Sequence, residues 1–401
     1  MPHRCMFTRI YWLLCTLLVC SGASATFAQR SLEEFQKRLS LEAPDLAALQ
    51  HSQPVVRLTP VADRREVAVT GVVNIRAAAE DFLKSYRESM TQKNNSAILE
   101  IGSFGKQPAL ADLQNLTIEA QDIEDLRECV VGDCQIKLSA AMIERFRKEI
   151  DWQSPDYALH VTNLFKQLLL DYVRDYLARG EPALIEYNDK RNEISLAAAR
   201  RALSQASGYV NDILADKQAG LRLVEDAVVW SKIKFGLKPV LAINHIKIYR
   251  RESEVGPQVL VASNQIYANH YFNASHALTA FVSVPEGAYL VYENRSLADG
   301  LEGPFSKIKR GVVEKKALEG LKAILEQSKS SLEGRTLSAT TAEFASHQSY
   351  GWGRRLFSGV RPLLWVLVLS ALISLLALGK RRSDIATARR SKALKPESAK
   401  S

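Results

Sequence analysis

Apolar and polar positions alternate in five consecutive runs in the second half of the chain. The runs are DAVVWSKIKF, PVLAINHIKIYR, QVLVASNQIYANHYF, HALTAFVSV and AYLVYENRS, which begin between Asp226 and Ala288. Alternation with β-branched residues indicates half-buried strands, and the short polar segments between the runs are typical of hairpin turns. The pattern predicts an antiparallel meander, with one of its turns at Asn273-Ala-Ser275.

Helical spacing dominates the rest of the body. A strand at Arg65–Ile75 leads into a helix, and short strands are expected at SAILEIGSFG, NLTIEA and CQIKLS. The block from Ser139 to Leu214 is predicted to be all helical, although ALIEYN within it has strand character. In that block Ser154-Pro155 marks a helix start and Gly180 its end. A long helix at Ser306–Leu332 carries an apolar stripe, so the fold class is α+β.

Two segments resemble the START-like, helix-grip superfamily. EVAVTGVVNIRAAAEDFLKSYRES looks like its first strand and helix, and GAYLVYENRSLADGLEGPFSKIKRGVVEKKALEGLKAIL like its last strand, loop and gripping helix. The resemblance covers residues 65–332, and the helical insertion at 139–214 departs from the usual pattern. It implies a curved antiparallel sheet wrapped on the C-terminal helix, with an apolar cavity between them. Members bind lipids, sterols or other hydrophobic molecules, and some are cyclases.

The first 28 residues have the pattern of a secretory signal peptide. Arg4 and Arg9 precede an apolar run from Ile10 to Cys20, and small residues follow. Because a bilayer span needs about 20 apolar residues, this run is too short to be a transmembrane helix. Two alternatives stay open, a lipoprotein acylated at Cys20 and an uncleaved anchor. Residues 29–64 form an N-terminal extension of the body.

The other end predicts a membrane anchor. Residues Pro362–Gly379 carry no charge and would span about 27 Å as a helix, with Leu363–Gly379 in the membrane. The tail at 380–401 contains eight Lys or Arg and two acidic residues, which places it in the cytoplasm by the positive-inside rule. The body therefore faces the extracytoplasmic, periplasmic side of a cell membrane, and residues 333–361 form a polar stalk.

The net charge of +9 belongs to the ends of the chain. The tail contributes +6 and the signal peptide +2, which leaves the body at +1. A body with so little net charge has no overall field to attract a polyanion. We therefore expect no nucleic-acid partner.

The body keeps a single cysteine pair, Cys129 and Cys134 in CVVGDC. An isolated pair in an exported protein indicates a disulfide, because exported compartments are oxidising. A metal site would need two further ligands, and no histidine lies near in the sequence. A redox-active pair is the other alternative, although the C-x-x-C spacing is absent.

One apolar face of the meander contains a few polar side chains, as a ligand cavity requires. Its candidate ligand-binding residues are Asn264, Ile266, His270, Phe272, His276 and Leu278. A plain core is the alternative interpretation.

Other polar residues of the body give weaker signals. His245 is expected on a solvated outer face, and Asp122 on a solvated helix face. Arg295 and Asp299 either gate the cavity or belong to a turn.

No catalytic motif is present. The chain lacks G-x-S-x-G, H-E-x-x-H and Walker sequences, so we predict no catalytic residue, metal or cofactor. The function most consistent with these patterns is a membrane-anchored extracytoplasmic binding module for a lipid-like or other hydrophobic small molecule. One alternative is an envelope interaction protein that docks a protein partner through the insertion at 139–214. Another is an enzyme that uses His270 or a nearby tyrosine as an acid or base.

Overall fold

A computed structural model describes most of the body. The described ranges are 39–92, 98–207, 220–234, 238–253, 255–299, 301–302 and 306–345, with side chains up to Gly334. The predicted signal peptide and membrane anchor lie outside these ranges. Among the described residues, no helix combines the length and apolar character that a membrane span requires.

The strands of the described chain are numbered in sequence order. They are β1 Val55–Leu58, β2 Glu66–Ile75, β3 Ile98–Phe104, β4 Glu186–Tyr187, β5 Ile194–Ser195, β6 Arg222–Ile233, β7 Val240–Ser253, β8 Gly256–Ala268, β9 Phe272–Val284 and β10 Gly287–Ala298. Eight of these form one antiparallel sheet in the order β1-β2-β10-β9-β8-β7-β6-β3, while β4 and β5 form a separate hairpin. The predicted meander is confirmed as the run from β6 to β10. The N-terminal extension also contributes, because β1 pairs with β2 at the sheet edge.

Two of the described hairpin turns follow the local sequence, and a third does not. Ser253 pairs with Gly256 and Val284 with Gly287, so the β7–β8 and β9–β10 turns fall where they were predicted. The predicted turn at 273–275 is wrong, because these residues lie within β9. The chain instead reverses at 269–271, where Tyr271 adopts a φ of 63°.

Seven α-helices surround the sheet in the described ranges. They are α1 Ala43–Gln50, α2 Ala79–Ser89, α3 Ala120–Arg127, α4 Ala140–Glu149, α5 Tyr157–Arg179, α6 Leu196–Ala206 and α7 Ser306–Ala345. Ser139 caps α4 by accepting a hydrogen bond from the Met142 amide at 3.3 Å, and α5 ends at Gly180, whose φ is 71°.

Three sequence predictions about the helices and the segments that connect them need correction. The block at 139–214 is not all helical, because the β4–β5 hairpin separates α5 from α6. The segments NLTIEA and CQIKLS do not form strands; their backbones run as a loop leading into α3 and as the connection into α4. Helix α7 continues to Ala345 and so occupies the first part of the predicted stalk.

Helix α7 packs along β2 at one edge of the sheet. Gly71 allows this close approach, since a Cβ atom there would lie 2.7 Å from Leu325 Cδ1 and 2.9 Å from Leu321 Cδ2. Arg310 and Lys329 donate hydrogen bonds to backbone carbonyls at the two ends of β2. The long antiparallel sheet is thus fixed against the C-terminal helix along the length of one strand.

Both faces of the sheet are covered. The face toward α7, here called the α7 face, packs against α2 and α7 through residues that include Val73, Ile246, Val261, Phe281 and Leu290. The opposite face packs against α1 and α3–α6 through residues that include Leu49, Trp230, Ile243, Ile266 and Leu278. Alternation along each strand distributes its side chains between these two layers.

Candidate functional site

The six candidate ligand residues do not share one face of the sheet. Asn264, Ile266, His276 and Leu278 lie on the opposite face, away from α7. Asn264 and His276 are cross-strand neighbours, and their Oδ1 and Nδ1 atoms are 2.7 Å apart. Burial lowers the pKa of His276 to about 4, so this imidazole is neutral at neutral pH.

His270 and Phe272 occupy different environments. Phe272 packs on the α7 face, whereas His270 lies in the β8–β9 turn and is 3% exposed. The His270 Nε2 atom is 3.0 Å from an Asp122 carboxylate oxygen. The prediction of a solvated Asp122 is therefore wrong, because the β8–β9 turn folds over α3 and buries this carboxylate.

The Asp122 cluster joins α3 to the sheet. Asn269 donates a hydrogen bond to Asp122 at 3.3 Å, and Lys238 pairs with it at 3.0 Å. Burial would raise the pKa of Asp122, but His270 and Lys238 lower it overall. No group of three His, Cys, Asp or Glu side chains in the described ranges could hold a metal ion. The geometry indicates a structural ion cluster.

His245 is also more enclosed than its sequence context predicts. Its Nδ1 is 2.7 Å from the Tyr176 hydroxyl and its Nε2 is 2.5 Å from an Asp226 oxygen. Burial lowers the pKa of His245 despite the neighbouring carboxylate. The prediction of a solvated outer face is wrong because α5 covers this part of β7.

Arg295 and Asp299 have separate roles. Arg295 is 2% exposed on the opposite face and pairs with Glu66 at 2.7 Å. Burial raises the pKa of Glu66 even though Arg295 opposes this change. Asp299 follows β10 and pairs with Lys137 at 3.0 Å. The two residues therefore do not form a single gate.

A row of polar side chains crosses the middle of the α7 face. Ser275 and Ser296 are cross-strand neighbours whose hydroxyl oxygens are 2.9 Å apart. Ser296 donates a hydrogen bond to Asn294 Oδ1 at 2.9 Å, so these three side chains satisfy one another. They continue the alternation of Leu290 and Tyr292, and this places them in the same layer as α2 and α7.

The row continues into two amides without acceptors. Asn244 on β7 and Gln265 on β8 are cross-strand neighbours, 4% and 2% exposed. Neither Asn244 Nδ2 nor Gln265 Nε2 has a hydrogen-bond acceptor among the described residues. Their strands carry Ile246 and Val261 on the same face, so the two amides lie within an otherwise apolar layer.

Four serine or threonine hydroxyls also lack a hydrogen-bond partner among the described residues. They are those of Ser85, Ser231, Thr279 and Ser328, and all four are buried without a hydrogen-bond partner. Ser231 and Thr279 belong to strands β6 and β9, while Ser85 lies on α2 and Ser328 on α7. An unsatisfied buried polar group costs about 1–3 kcal/mol. Because buried polar groups normally have partners, these hydroxyls and the two amides are candidates for contact with a further polar molecule.

The candidate residues predicted on β8 occupy its even positions, which face away from α7. Ser263 and Gln265 occupy the odd positions, which face α7, and were not predicted. The apolar alternation in β7 and β8 was visible, but the cross-strand match of Asn244 with Gln265 requires the register. That register includes an irregularity between Ile243 and Asn244, which a simple count along the strands does not reveal.

Comparisons with known proteins add no assignment. No protein-family profile matches the chain, and neither the curated proteins nor the solved structures give a match. The class defined by the fold is an α+β protein with a long antiparallel sheet packed against its C-terminal helix. Membership of the START-like superfamily stays a prediction from the sequence.

Proposed function

We propose that the protein is a membrane-tethered, extracytoplasmic binding module for an amphipathic, lipid-like ligand. The ligand has an apolar body and a head group with hydrogen-bond-accepting oxygens. The observation that carries this proposal is the adjacent pair of buried amides, Asn244 and Gln265, whose N–H groups lack acceptors in the described chain. A head-group carboxylate or carbonyl would accept hydrogen bonds from both.

The surroundings of the two amides suit the rest of such a molecule. Ile246, Ile248 and Val261 extend the same face of β7 and β8, and Phe281 stacks near Phe82 of α2 with ring centroids 5.4 Å apart. An alkyl chain placed between the sheet and these helices would exchange water for apolar contacts, at about 25 cal/mol per Å² buried. In the proposal, α2 and α7 separate from the sheet to admit the ligand, because the amides are enclosed.

Membrane tethering rests on the sequence. The uncharged segment at 362–379 and the basic tail at 380–401 support an anchor with the body outside. An anchored module would load its ligand from, or deliver it to, the adjacent bilayer. Docking of a protein partner through residues 139–214 stays a separate prediction, which crosslinking in membranes can test.

A fluorescent fatty acid tests the ligand site directly. The full chain in detergent would be titrated with cis-parinaric acid, and the Asn244→Leu and Gln265→Leu variants compared with the unmodified protein. Each substitution should weaken binding by about tenfold, because a hydrogen bond to a charged group contributes about 1.5 kcal/mol or more. The ligand-free variants should be as stable as the unmodified protein or more so, since each loses an unsatisfied amide.

The control is Gln258→Leu, which lies on β8 outside this layer and accepts hydrogen bonds from Arg251. It should leave parinaric acid binding unchanged. Equal affinities for Asn244→Leu, Gln265→Leu and the unmodified protein would contradict the proposed site. A loss of stability in the ligand-free variants would show that the two amides have partners in solution.

A further inference from the structure

A separate pocket opens at the end of the sheet, outside the layer between the sheet and α7. Its volume is about 370 Å³, which is within the range of small-molecule sites. It lies between the end of β10, the start of β9 and the loop that joins β4 to β5. The residues that matter for its chemistry are Arg65, Lys190, Arg191, Asn273, Asp299 and Glu302.

One wall of the pocket is fixed by a buried ion cluster. Lys137 is 2% exposed, pairs with Asp299 at 3.0 Å, and lies 4.9 Å from the centroid of the Tyr187 ring. Lys190 also pairs with Asp299. Burial would raise the pKa of Asp299, but the two ammonium groups lower it to about 2. The carboxylate is therefore ionised and already neutralised before any ligand arrives.

The disulfide turn fixes a second wall. The structure joins Cys129 to Cys134, as the sequence predicts, with their Cα atoms 4.5 Å apart. Within that turn, the Gly132 amide donates to the Asn188 carbonyl at 2.8 Å, and the Cys134 amide donates to the Asp189 carbonyl at 2.9 Å. These bonds hold the β4–β5 loop in place and with it the Lys190 and Arg191 side of the pocket.

Beside Asn192 and Glu193, which also line the pocket, three polar groups are suited to a ligand. The Asn273 side-chain oxygen is buried, in a residue that is 3% exposed, and it accepts no hydrogen bond from the described residues. Arg191 and Glu302 are exposed, and neither forms an ion pair with another described residue. The pocket thus offers a deep acceptor, a cation and an anion, whereas Lys190 and Asp299 neutralise each other.

We propose that this pocket binds a small zwitterion, with its ammonium group toward Asn273 and Glu302 and its carboxylate toward Arg191. Arg191 can bind a carboxylate through two parallel N–H donors, which gives both orientation and strength. An ammonium donor would satisfy the buried oxygen of Asn273, which a purely anionic ligand leaves without a partner. The walls are held by the ion cluster and the disulfide turn, so little ordering is needed on binding.

A matched series of dipeptides tests the requirement for both charges. Alanyl-alanine carries both, N-acetyl-alanyl-alanine only the carboxylate, and alanyl-alanine amide only the ammonium group. Isothermal titration calorimetry on the full chain in detergent would give their affinities. The uncapped dipeptide should bind about tenfold or more tightly than either capped form, because each charge-assisted contact is stronger than a neutral one.

Variants then assign each end of the ligand. Arg191→Gln should weaken alanyl-alanine binding about tenfold and leave the amide form unaffected, and Asn273→Ala should weaken both forms that carry an ammonium group. Arg201→Gln, in an exposed pair with Glu181 at 2.9 Å, is the control and should change none of the affinities. Parinaric acid binding by each variant reports separately on the fold and on the other site.

The proposal would be overturned by equal affinities for the three dipeptides or by no heat of binding at millimolar concentrations. It would also be overturned if Arg191→Gln weakened the amide form as much as the uncapped dipeptide. The proposed lipid-like ligand site is tested independently, by the parinaric acid titration.

Discussion

Replacing Lys137 with methionine should destabilise the protein strongly. Methionine keeps most of the apolar stem and removes the charge, so the cavity effect is small. The substitution leaves Asp189, 5% exposed and 3.5 Å from the lysine nitrogen, without that partner. It also leaves Asp299 with Lys190 alone. The substitution therefore removes a cationic partner from two buried carboxylates at once.

The expected loss is about 3 kcal/mol. Removing one partner of a buried ion pair costs about 3–5 kcal/mol, and the remaining contact between Asp299 and Lys190 favours the lower end. A typical domain is stable by about 5–15 kcal/mol, so the variant should still fold. Urea unfolding of the full chain in detergent, followed by circular dichroism, measures the difference.

The pH dependence of the same variant provides a second test. The pKa of Asp299 is about 2 in the folded protein against an ordinary value of 3.8. The stabilisation from ionised Asp299 is therefore complete above about pH 4 and is lost as the pH falls toward 2. The difference between these two pKa values corresponds to about 2 kcal/mol of folding stability. Burial raises the pKa of Asp189, so its protonation offsets part of this loss. Lys137→Met should flatten the acid-induced loss that Asp299 causes.

Lys315→Met is the matched control, because Lys315 is 77% exposed and its pair with Glu319 is on the helix surface. Its unfolding midpoint should equal that of the unmodified protein. If Lys137→Met were as stable as this control, the buried ion cluster would contribute nothing, and the reasoning about the pocket wall would be wrong.

Three further outcomes are expected. Gly71→Ala should lower the stability by about 1–3 kcal/mol, because the added Cβ would collide with α7. Gly311→Ala is the control, since no atom lies within 4 Å of its Cβ position, and it should be neutral or stabilising. Thermal melting compares the two variants. Replacing Cys129 and Cys134 by serine should lower the stability measured by urea unfolding by about 2 kcal/mol. It should also speed amide hydrogen exchange in the β4–β5 loop, and unchanged exchange there would contradict the idea that the disulfide turn holds this loop. Because burial lowers the pKa of His276 to about 4, stability should fall by about 3 kcal/mol between pH 6.5 and pH 4; a His276→Gln variant with the same slope would exclude this imidazole as the cause.

The periodic parts of the fold could be predicted from sequence. Strand β2, helix α5 with its terminal Gly180 and the meander followed from alternation, helical spacing and turn composition. The β8–β9 turn could not, because Tyr271 adopts a positive φ without a glycine, and the more turn-like Asn273-Ala-Ser275 lies just beyond it within β9. Short apolar segments such as NLTIEA have the composition of a strand, but tertiary packing determines that this one forms a loop.

The candidate sites depended on information that one strand does not contain. Asp122 looks like part of an acidic helix face, and only the fold of the β8–β9 turn brings His270 within 3.0 Å of it. Likewise, Asn273 and Asp299 become neighbours in a pocket because β9 begins and β10 ends at the same end of the sheet. Cys129 and Cys134 were predictable because their pairing is local.

Native mass spectrometry of the full chain, extracted gently from membranes, tests whether a ligand lies between the sheet and α7. The unmodified protein should carry an additional mass equal to one amphipathic molecule. The adduct should be lost or greatly reduced in a double variant with leucine in place of Asn244 and Gln265. A bare protein after gentle extraction, or the same adduct on the double variant, would contradict a ligand site between the sheet and α7.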